Sequence, residues 1–183
     1  TTTFLAGYAQ FRRSYRVGNR FEFRVKDNFT GQTRPLSLRV TQVDVDADRV
    51  EFNGGDYTSD LIGNIRRNLL GGLETPRQFY PAELYVGKKW ITQFRQVRSE
   101  GARYTFRYEL QVVGRERITV PAGTFDTYRI EARGYNRDLN APLARTLWVA
   151  SGVSADIAQE YKVTLSNGTV QLSERTELVS FTP

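Results

Sequence analysis

The sequence contains no cysteine, no histidine and no methionine. Thiol nucleophiles, histidine general bases, Cys/His zinc sites and Ser-His-Asp triads are therefore excluded. The enzyme class that remains is a hydrolase built on paired carboxylates. Asp126 and Glu131 flank one predicted strand, but at five residues apart they point to opposite faces of it. We therefore predict a non-catalytic protein without metal or cofactor, with a carboxylate hydrolase as the alternative.

Long apolar runs are also missing. No stretch approaches the roughly 20 apolar residues that a membrane-spanning helix needs, so we predict no transmembrane segment. Because methionine is absent, Thr1 is not an encoded start, and we expect a processed or trimmed chain whose export signal has been removed. The 183 residues suit one domain with a sizeable core.

The net charge of +6 is concentrated in residues 1–39, which hold eight basic and two acidic side chains. Such a basic end could contact phosphate, an anionic glycan or a lipid headgroup, could dock on an envelope protein, or could be the solvated face of strands. Arginines interleaved with aromatics also suit nucleic acid, which we do not favour as a partner. The predicted basic docking face consists of Arg12, Arg13, Arg16, Arg20, Arg24 and Arg39.

Alternation of apolar and polar residues dominates the rest of the chain. In "NRFEFRVKD" the residues Phe21, Phe23 and Val25 share one face, which is typical of a half-buried antiparallel strand. The following strand, "LSLRVTQV", loses its register at Gln42, which indicates a bulge. We predict an all-β, mainly antiparallel fold: a curved sheet, half-barrel or barrel-like sandwich of about nine or ten strands with one short helical excursion.

Two stretches between the strands invite other interpretations. The stretch "YTSDLIGNIRRNLLGG" predicts a helix over residues 58–70, with Thr58 or Ser59 as its N-cap. The stretch "DVDADRVEF" resembles the start of a calcium loop, but Arg49 and Gly55 stand where such a loop has Gly and Glu. A charged hairpin turn is favoured there.

A weak internal similarity suggests how the domain is organised. "RVEFNGGDYTSDLI" from Arg49 aligns with "RITVPAGTFDTYRI" from Arg117, so that Gly55 falls on Gly123. The single domain, 1–183, is then two repeated meanders (17–62 and 86–130) plus a C-terminal three-strand extension (144–181), or two similar meanders that share only turn chemistry. In either case "VPAGTF" is a structural corner, because Pro121 cannot donate to a ladder and Gly123 accepts unusual backbone angles.

The residues "VPAGTFDTYRIEARG", "LARTLWVASGV" and "ERTELVSF" resemble bacterial exported β-rich proteins of unknown function that carry a V-P-A-G-T-F corner. The resemblance spans residues 81–181 and departs at Ser151, where proline is expected. These proteins are loosely similar to the half-barrels of the lipoprotein-carrier (Lol-type) proteins. The resemblance implies a periplasmic or otherwise exported location in the bacterial envelope and an amphipathic ligand.

Two functions remain open. The first is a non-catalytic envelope domain that binds an apolar or amphipathic, lipid-like molecule on its curved sheet. The second is a structural or assembly module that docks on another envelope protein or a glycan through its basic N-terminal strands. Ordinary core packing is the alternative role for the aromatic residues predicted to line the ligand site: Trp90, Phe94, Tyr104, Phe106 and Trp148.

Overall fold

The structure, a computed structural model, describes residues 9–183, which form fourteen strands and one short 3-10 turn, Asn53–Gly55. The strands, in chain order, are β1 (Ala9–Gln10), β2 (Arg20–Asp27), β3 (Thr33–Asp44), β4 (Arg49–Phe52), β5 (Tyr57–Ser59), β6 (Ile65–Asn68), β7 (Gly71–Arg77), β8 (Glu83–Leu84), β9 (Lys89–Arg98), β10 (Arg103–Val120), β11 (Gly123–Asn136), β12 (Ala141–Val149), β13 (Ala158–Thr164) and β14 (Val170–Thr182).

Twelve of these strands close into one antiparallel barrel in the order β10-β11-β12-β13-β14-β2-β3-β4-β5-β6-β7-β9, and β1 pairs separately with β8. The prediction of an all-β, barrel-like fold is confirmed. The barrel exceeds the predicted strand number because β4 to β7 are short and carry weak alternation. Closure leaves β9 hydrogen-bonded to both β7 and β10, so the barrel wall has no free edge there.

Because successive strands of the barrel are antiparallel, the loops that connect them lie alternately at its two ends. One end, here called the mouth, carries the connections 28–32, 53–56, 69–70, 99–102, 137–140 and 165–169. The other end, the floor, carries the connections 45–48, 60–64, 78–88, 121–122 and 150–157. The "VPAGTF" corner is confirmed as a tight floor turn, since Val120 pairs with Gly123 and Gly123 has φ of 139°.

The prediction of a helix over residues 58–70 is wrong. The segment forms β5, a turn at 60–64, and β6. The carboxylate of Asp60 accepts hydrogen bonds from the backbone N–H groups of Ile62 (3.1 Å) and Asn64 (2.8 Å), and Gly63 adopts φ of +93°. These bonds stabilise a turn in place of a helix start, because Asp competes locally for backbone donors. The short helical excursion lies instead at Asn53–Gly55.

The aspartate-rich stretch forms the predicted charged hairpin turn between β3 and β4. The carboxylate of Asp44 accepts a hydrogen bond from the backbone N–H of Ala47 at 3.0 Å, and Asp48 has a positive φ of 50°. The bulge predicted at Gln42 is confirmed, because the β3/β4 register shifts between Val40 and Gln42. The turn follows from local side-chain chemistry, because the Asp44 carboxylate satisfies a backbone donor within it.

The three sequence segments 17–62, 86–130 and 144–181 all contribute strands to the same barrel wall. Their origin in a repeat stays a prediction. Residues 11–16, here called the N-terminal segment, and residues 79–85 lie across the floor. Phe11, Phe79 and Leu84 are buried there and pack in one cluster with wall residues that include Ile130 and Leu147. This packing closes the barrel at its floor and leaves the mouth end open.

Candidate functional site

The barrel encloses a cavity of about 520 Å³ that opens at the mouth. Pockets for small ligands fall in the range of roughly 300–1,000 Å³. Larger barrels leave such space because their interior is too wide for side chains to fill. The apolar part of the cavity wall is formed by inward-facing side chains of β7, β9, β10, β12 and β13: Leu73, Phe94, Phe106, Leu143 and Val163.

Aromatic rings make one side of this wall rigid. Phe94 stacks on Phe106 at 5.3 Å between ring centroids and lies nearly parallel to Tyr108 at 6.1 Å. Phe79 meets Tyr108 edge to face at 5.0 Å. Such offset and edge-on pairs are favourable beyond their buried area. The cavity is therefore preformed.

Tyr108 owes its position to a glycine. Gly134 on β11 lies directly opposite Tyr108 on β10, and the Tyr108 ring covers the place where a Cβ atom of residue 134 would stand. A side chain at this position would collide with the ring carbons. The glycine thus allows the ring to lie flat against the wall.

Two arginines, Arg77 and Arg145, lie deep in the cavity. The Nε–H of Arg145 donates to the Tyr108 hydroxyl at 3.3 Å, and its Nη1 donates to the side-chain oxygen of Gln159 at 3.0 Å. The Arg145 Cζ atom also lies 3.7 Å from the ring centroid of Tyr161. Arg145 is held in one orientation by three residues on two strands, β10 and β13.

Arg77, at the end of β7, has far fewer partners. Its Cζ atom lies 4.3 Å from the centroid of the Phe79 ring, and the Cζ atom of Arg145 lies 5.5 Å from the same centroid. The Nε atom of Arg77 is buried without a hydrogen-bond partner among the described residues. Burial and the neighbouring charge of Arg145 lower the pKa of Arg77 to about 10. Arg77 is still charged at neutral pH.

A smaller cavity of about 170 Å³ lies on the floor side of Arg77 and contains a carboxylate, Asp156. Asp156 forms an ion pair with Arg13, in which Nη2 lies 2.6 Å from Oδ1. The Tyr80 hydroxyl lies 2.7 Å from Oδ1 and 2.6 Å from Oδ2 of the same carboxylate, to which it donates. The side chains of Arg13 and Asp156 are only 5% and 13% exposed. Burial and the charge of Asp156 raise the pKa of Tyr80, which keeps its hydroxyl a donor.

Arg13 also anchors the N-terminal segment by its flat face. Its Cζ atom lies 4.3 Å from the Tyr80 ring centroid and 5.0 Å from that of Phe11, and those two rings stack at 5.4 Å. Arg13 therefore lies inside the barrel, whereas the sequence placed it on a basic docking face. The segment around it is irregular, so strand alternation gives no guide to its direction. The other residues of that predicted face are exposed: Arg12, Arg16, Arg20, Arg24 and Arg39.

Of the five aromatic residues predicted to bind ligand, Phe94 and Phe106 line the cavity. Tyr104 lies on the same strand as Phe106 but toward the mouth, where its ring centroid is 5.2 Å from the Cζ atom of Arg98. Trp90 is half-buried near the floor and donates its indole N–H to the backbone oxygen of Gln78 at 3.0 Å. Its ligand role, like that of the others, stays a prediction.

Trp148 lies on the opposite side of β12 from the cavity residues Leu143 and Arg145, because it is an odd number of residues away from each of them. Its indole N–H donates to the carboxylate of Glu116 at 2.9 Å. The Cζ atoms of Arg129 and Arg175 lie 5.6 and 4.9 Å from its ring. The structure therefore separates Trp148 from the other predicted ligand residues.

Sequence reasoning missed Arg77, Arg145, Tyr108 and Tyr161. A signal existed for Arg145, because it stands in the inward register of "LARTLWV" between Leu143 and Leu147. A charged residue at an inward-facing position of a strand indicates a buried charge, which often marks a functional site. Arg77 follows Pro76 where alternation ends, so no comparable signal existed.

Comparison with solved structures identifies the same fold in bacterial proteins. A candidate exported protein of YmcC-like fold from Bacteroides fragilis matches with a TM-score of 0.60 and 13% identity, covering 96% of this chain and 100% of its own. A candidate lipoprotein from Parabacteroides distasonis matches with a TM-score of 0.61 and 14% identity, covering 94% of this chain and 98% of its own.

The hypothetical lipoprotein YmcC from Escherichia coli matches with a TM-score of 0.52 and 11% identity, covering 91% of this chain and 85% of its own. The chain thus shares the YmcC-like fold. No protein-family model and no curated protein matches the sequence. Within residues 9–183, no helix is both long enough and apolar enough to cross a membrane.

Proposed function

We propose that this chain is a non-catalytic domain of the bacterial cell envelope that holds an apolar or amphipathic ligand inside its barrel. The observation that carries the proposal is the preformed cavity of about 520 Å³, walled by aromatic and aliphatic side chains and open at the mouth. Mostly apolar walls with a few placed polar groups are typical of ligand pockets.

An envelope location is supported by the proteins that share the fold. The three structural matches are described as an exported protein and two lipoproteins, and none of these names states an enzymatic activity. The resemblance of the "VPAGTF" segment to exported bacterial proteins points the same way.

The site chemistry supports binding over catalysis. A carboxylate hydrolase needs two carboxyl groups facing one substrate. Among the described residues that line the two interior cavities, the acidic side chain is Asp156, and both its oxygens are engaged by Arg13 and Tyr80. No second carboxylate of the described chain lines these cavities to complete a pair.

The test is native mass spectrometry on protein purified from its host's envelope, before and after organic extraction. We expect a removable mass of lipid size on the wild type. Ala141→Trp should abolish that mass, because Ala141 is buried in the cavity wall and the indole would occupy the ligand's space. The matched control is Ala144→Trp on the same strand, where the side chain points outward and is exposed.

A bare chain mass for the wild type under gentle conditions would contradict the proposal. Equal lipid retention by Ala141→Trp and Ala144→Trp would show that the ligand binds outside the barrel cavity. Thermal unfolding of both variants checks that each is folded. Leu143→Phe, a smaller intrusion into the same cavity, replaces Ala141→Trp if that variant is unstable.

Docking through the basic N-terminal strands is a second candidate function. Arg20 on β2 lies directly opposite Arg39 on β3, and both are exposed. Neither forms an ion pair with a described residue, which leaves both charges available to a partner. Loss of envelope pull-down partners in Arg20→Glu/Arg39→Glu, but not in Arg133→Glu, would support this candidate.

A further inference from the structure

The large cavity is unusual in its charge. Three arginines line it, Arg77, Arg98 and Arg145, and none of its described lining residues is Asp or Glu. Removing a cation from water costs free energy unless a nearby anion or a set of hydrogen-bond acceptors compensates its charge. The excess positive charge of this cavity is therefore expected to be balanced by a bound anion.

Asp156 does not supply that partner. It is paired with Arg13 and accepts hydrogen bonds from Tyr80, and the amide of Gln159 separates it from Arg145. The Gln159 amide donates to Asp156 at 3.4 Å and accepts from Arg145 at 3.0 Å. Among the described residues that line the two cavities, the one carboxylate thus pairs with Arg13 and leaves Arg77 and Arg145 without an ion pair.

The donors at this position are arranged for an oxygen anion. A guanidinium carries five N–H groups in a planar fork. The Nε–H of Arg77 is buried without a hydrogen-bond partner among the described residues. Arg145 commits its Nε–H and one Nη1 donor to the protein and retains the others. Tyr108 accepts from Arg145, so its own hydroxyl proton is available to a ligand. Two forks beside one aromatic ring suit carboxylate or phosphate.

The apolar part of the cavity lies between these donors and the mouth. Leu143 and Ala141 follow Arg145 along β12 toward the mouth, and the four-residue step from Arg145 to Ala141 spans about 13 Å. At the rim, Leu70 and Leu139 are 51% and 59% exposed. An apolar chain placed here would cover exposed apolar surface at the rim as well as the inner wall.

We propose that the ligand of this barrel is an anionic amphiphile whose carboxylate or phosphate head group binds Arg77 and Arg145, with its apolar chain directed toward the mouth. The proposal rests on the proposed binding function and adds to it the charge and orientation of the ligand. It follows from the two uncompensated arginines deep in the cavity together with the apolar path above them.

The experiment is isothermal titration calorimetry on protein freed of bound lipid. The probes are dodecanoate, dodecyl phosphate, dodecyltrimethylammonium and dodecanol, the first three below their micelle concentrations and dodecanol below its solubility limit. Acetate and inorganic phosphate serve as head groups without an apolar chain. Dodecanoate or dodecyl phosphate should bind about ten- to a hundredfold more tightly than dodecanol, as charge-assisted hydrogen bonds predict. The stronger of the two identifies the head group as carboxylate or phosphate.

The decisive variant is Arg77→Met/Arg145→Met, which should lose the preference for anionic over neutral probes while retaining dodecanol binding. Its unfolding temperature should equal or exceed that of the wild type, since uncompensated charges are replaced by apolar side chains of similar length. The matched control is Arg133→Met/Arg137→Met, which removes two exposed charges elsewhere and should keep the preference.

Each other outcome overturns a different statement. Equal affinity of the wild type for dodecanoate and dodecanol overturns the head-group assignment and leaves the binding function standing. Binding of acetate or inorganic phosphate as tightly as the dodecyl probes overturns the amphiphile. Absence of binding by every probe overturns this inference together with the proposed function.

Discussion

At the scale of single residues, Gly134 has the clearest structural role. Because the Tyr108 ring occupies the position of a Cβ atom at residue 134, Gly134→Ala must displace that ring and weaken its hydrogen bond to Arg145. We expect a loss of about 1–3 kcal/mol in the free energy of unfolding, the usual range for overpacking. Urea unfolding measures this loss.

The matched control is Gly114→Ala on the neighbouring strand, where an added methyl group meets open space. That variant should be neutral or slightly stabilising, since alanine restricts the unfolded chain more than glycine does. Equal unfolding free energies for the two variants would contradict the role assigned to Gly134.

The direction of a side chain can be inferred from sequence where apolar and polar residues alternate regularly. Phe94 and Phe106 stand in regular strands, and their inward direction follows from the period of two. Arg13 and Arg77 lie in an irregular segment and at a strand end, so no periodicity indicates which way they point. Trp148 is an instructive exception, because it lies in a regular strand but is covered by arginines on the outer face.

At the scale of elements, the buried Arg13–Asp156 ion pair is one of the contacts that hold the N-terminal segment against the floor. Arg13→Met leaves the Asp156 carboxylate buried without its cation, and we expect a loss of about 3 kcal/mol in unfolding free energy. Arg13→Met/Asp156→Asn should lose less than Arg13→Met alone, because the uncompensated charge is gone. Chemical unfolding of both variants gives the comparison.

Arg12→Met is the neighbouring control. Arg12 is exposed and bonds only to Gln10 among the described residues, so its removal should change stability by no more than about 0.5 kcal/mol. If Arg12→Met and Arg13→Met have the same unfolding free energy, the N-terminal segment is not anchored through Asp156.

Element prediction was reliable for long strands and unreliable for short ones. β2, β3, β10 and β11 show sustained alternation, and their turns carry Gly or Asn at the required positions. The segment 58–70 has apolar residues at helical spacing, yet Asp60 and Gly63 form a turn that splits it into two strands. Tertiary pairing with β4 and β7 decided the outcome, and that pairing is invisible to local pattern.

At the scale of the whole molecule, the barrel wall is uneven. The β10/β11 ladder runs continuously from Phe106–Asn136 to Val120–Gly123 apart from one bulge. The β7/β9 ladder is limited to Gly71–Arg98, Gly72–Val97 and Leu73–Gln96. Pro76 in β7 cannot donate a ladder bond.

Below that short ladder, side chains replace backbone pairing between β7 and β9. The Thr75 hydroxyl donates to the backbone oxygen of Gln93 at 3.3 Å, and the Thr92 hydroxyl accepts from the N–H of Gln78 at 3.1 Å. We name the β7/β9 contact the seam. Its closure could not be read from sequence, since it depends on strands that are distant along the chain and individually weak.

We expect backbone amides of β5 to β7 to exchange with deuterium faster than those of β10 to β12, because short ladders open at lower free energy. Hydrogen exchange followed by mass spectrometry measures the difference peptide by peptide. Uniform protection around the barrel would show that the seam is as stable as the long ladders.

The position of Arg77 on the seam strand has a kinetic consequence. An anion held by both Arg77 and Arg145 ties β7 to β12, four strands away around the wall. Such a ligand leaves through the open mouth, and movement of β7 at the seam would draw Arg77 away from the anion while Arg145 and the aromatic side of the wall stay in place. Residence time would be governed by fluctuations of the weakest strand pairing, so a variant that loosens the seam shortens occupancy without touching a single ligand contact.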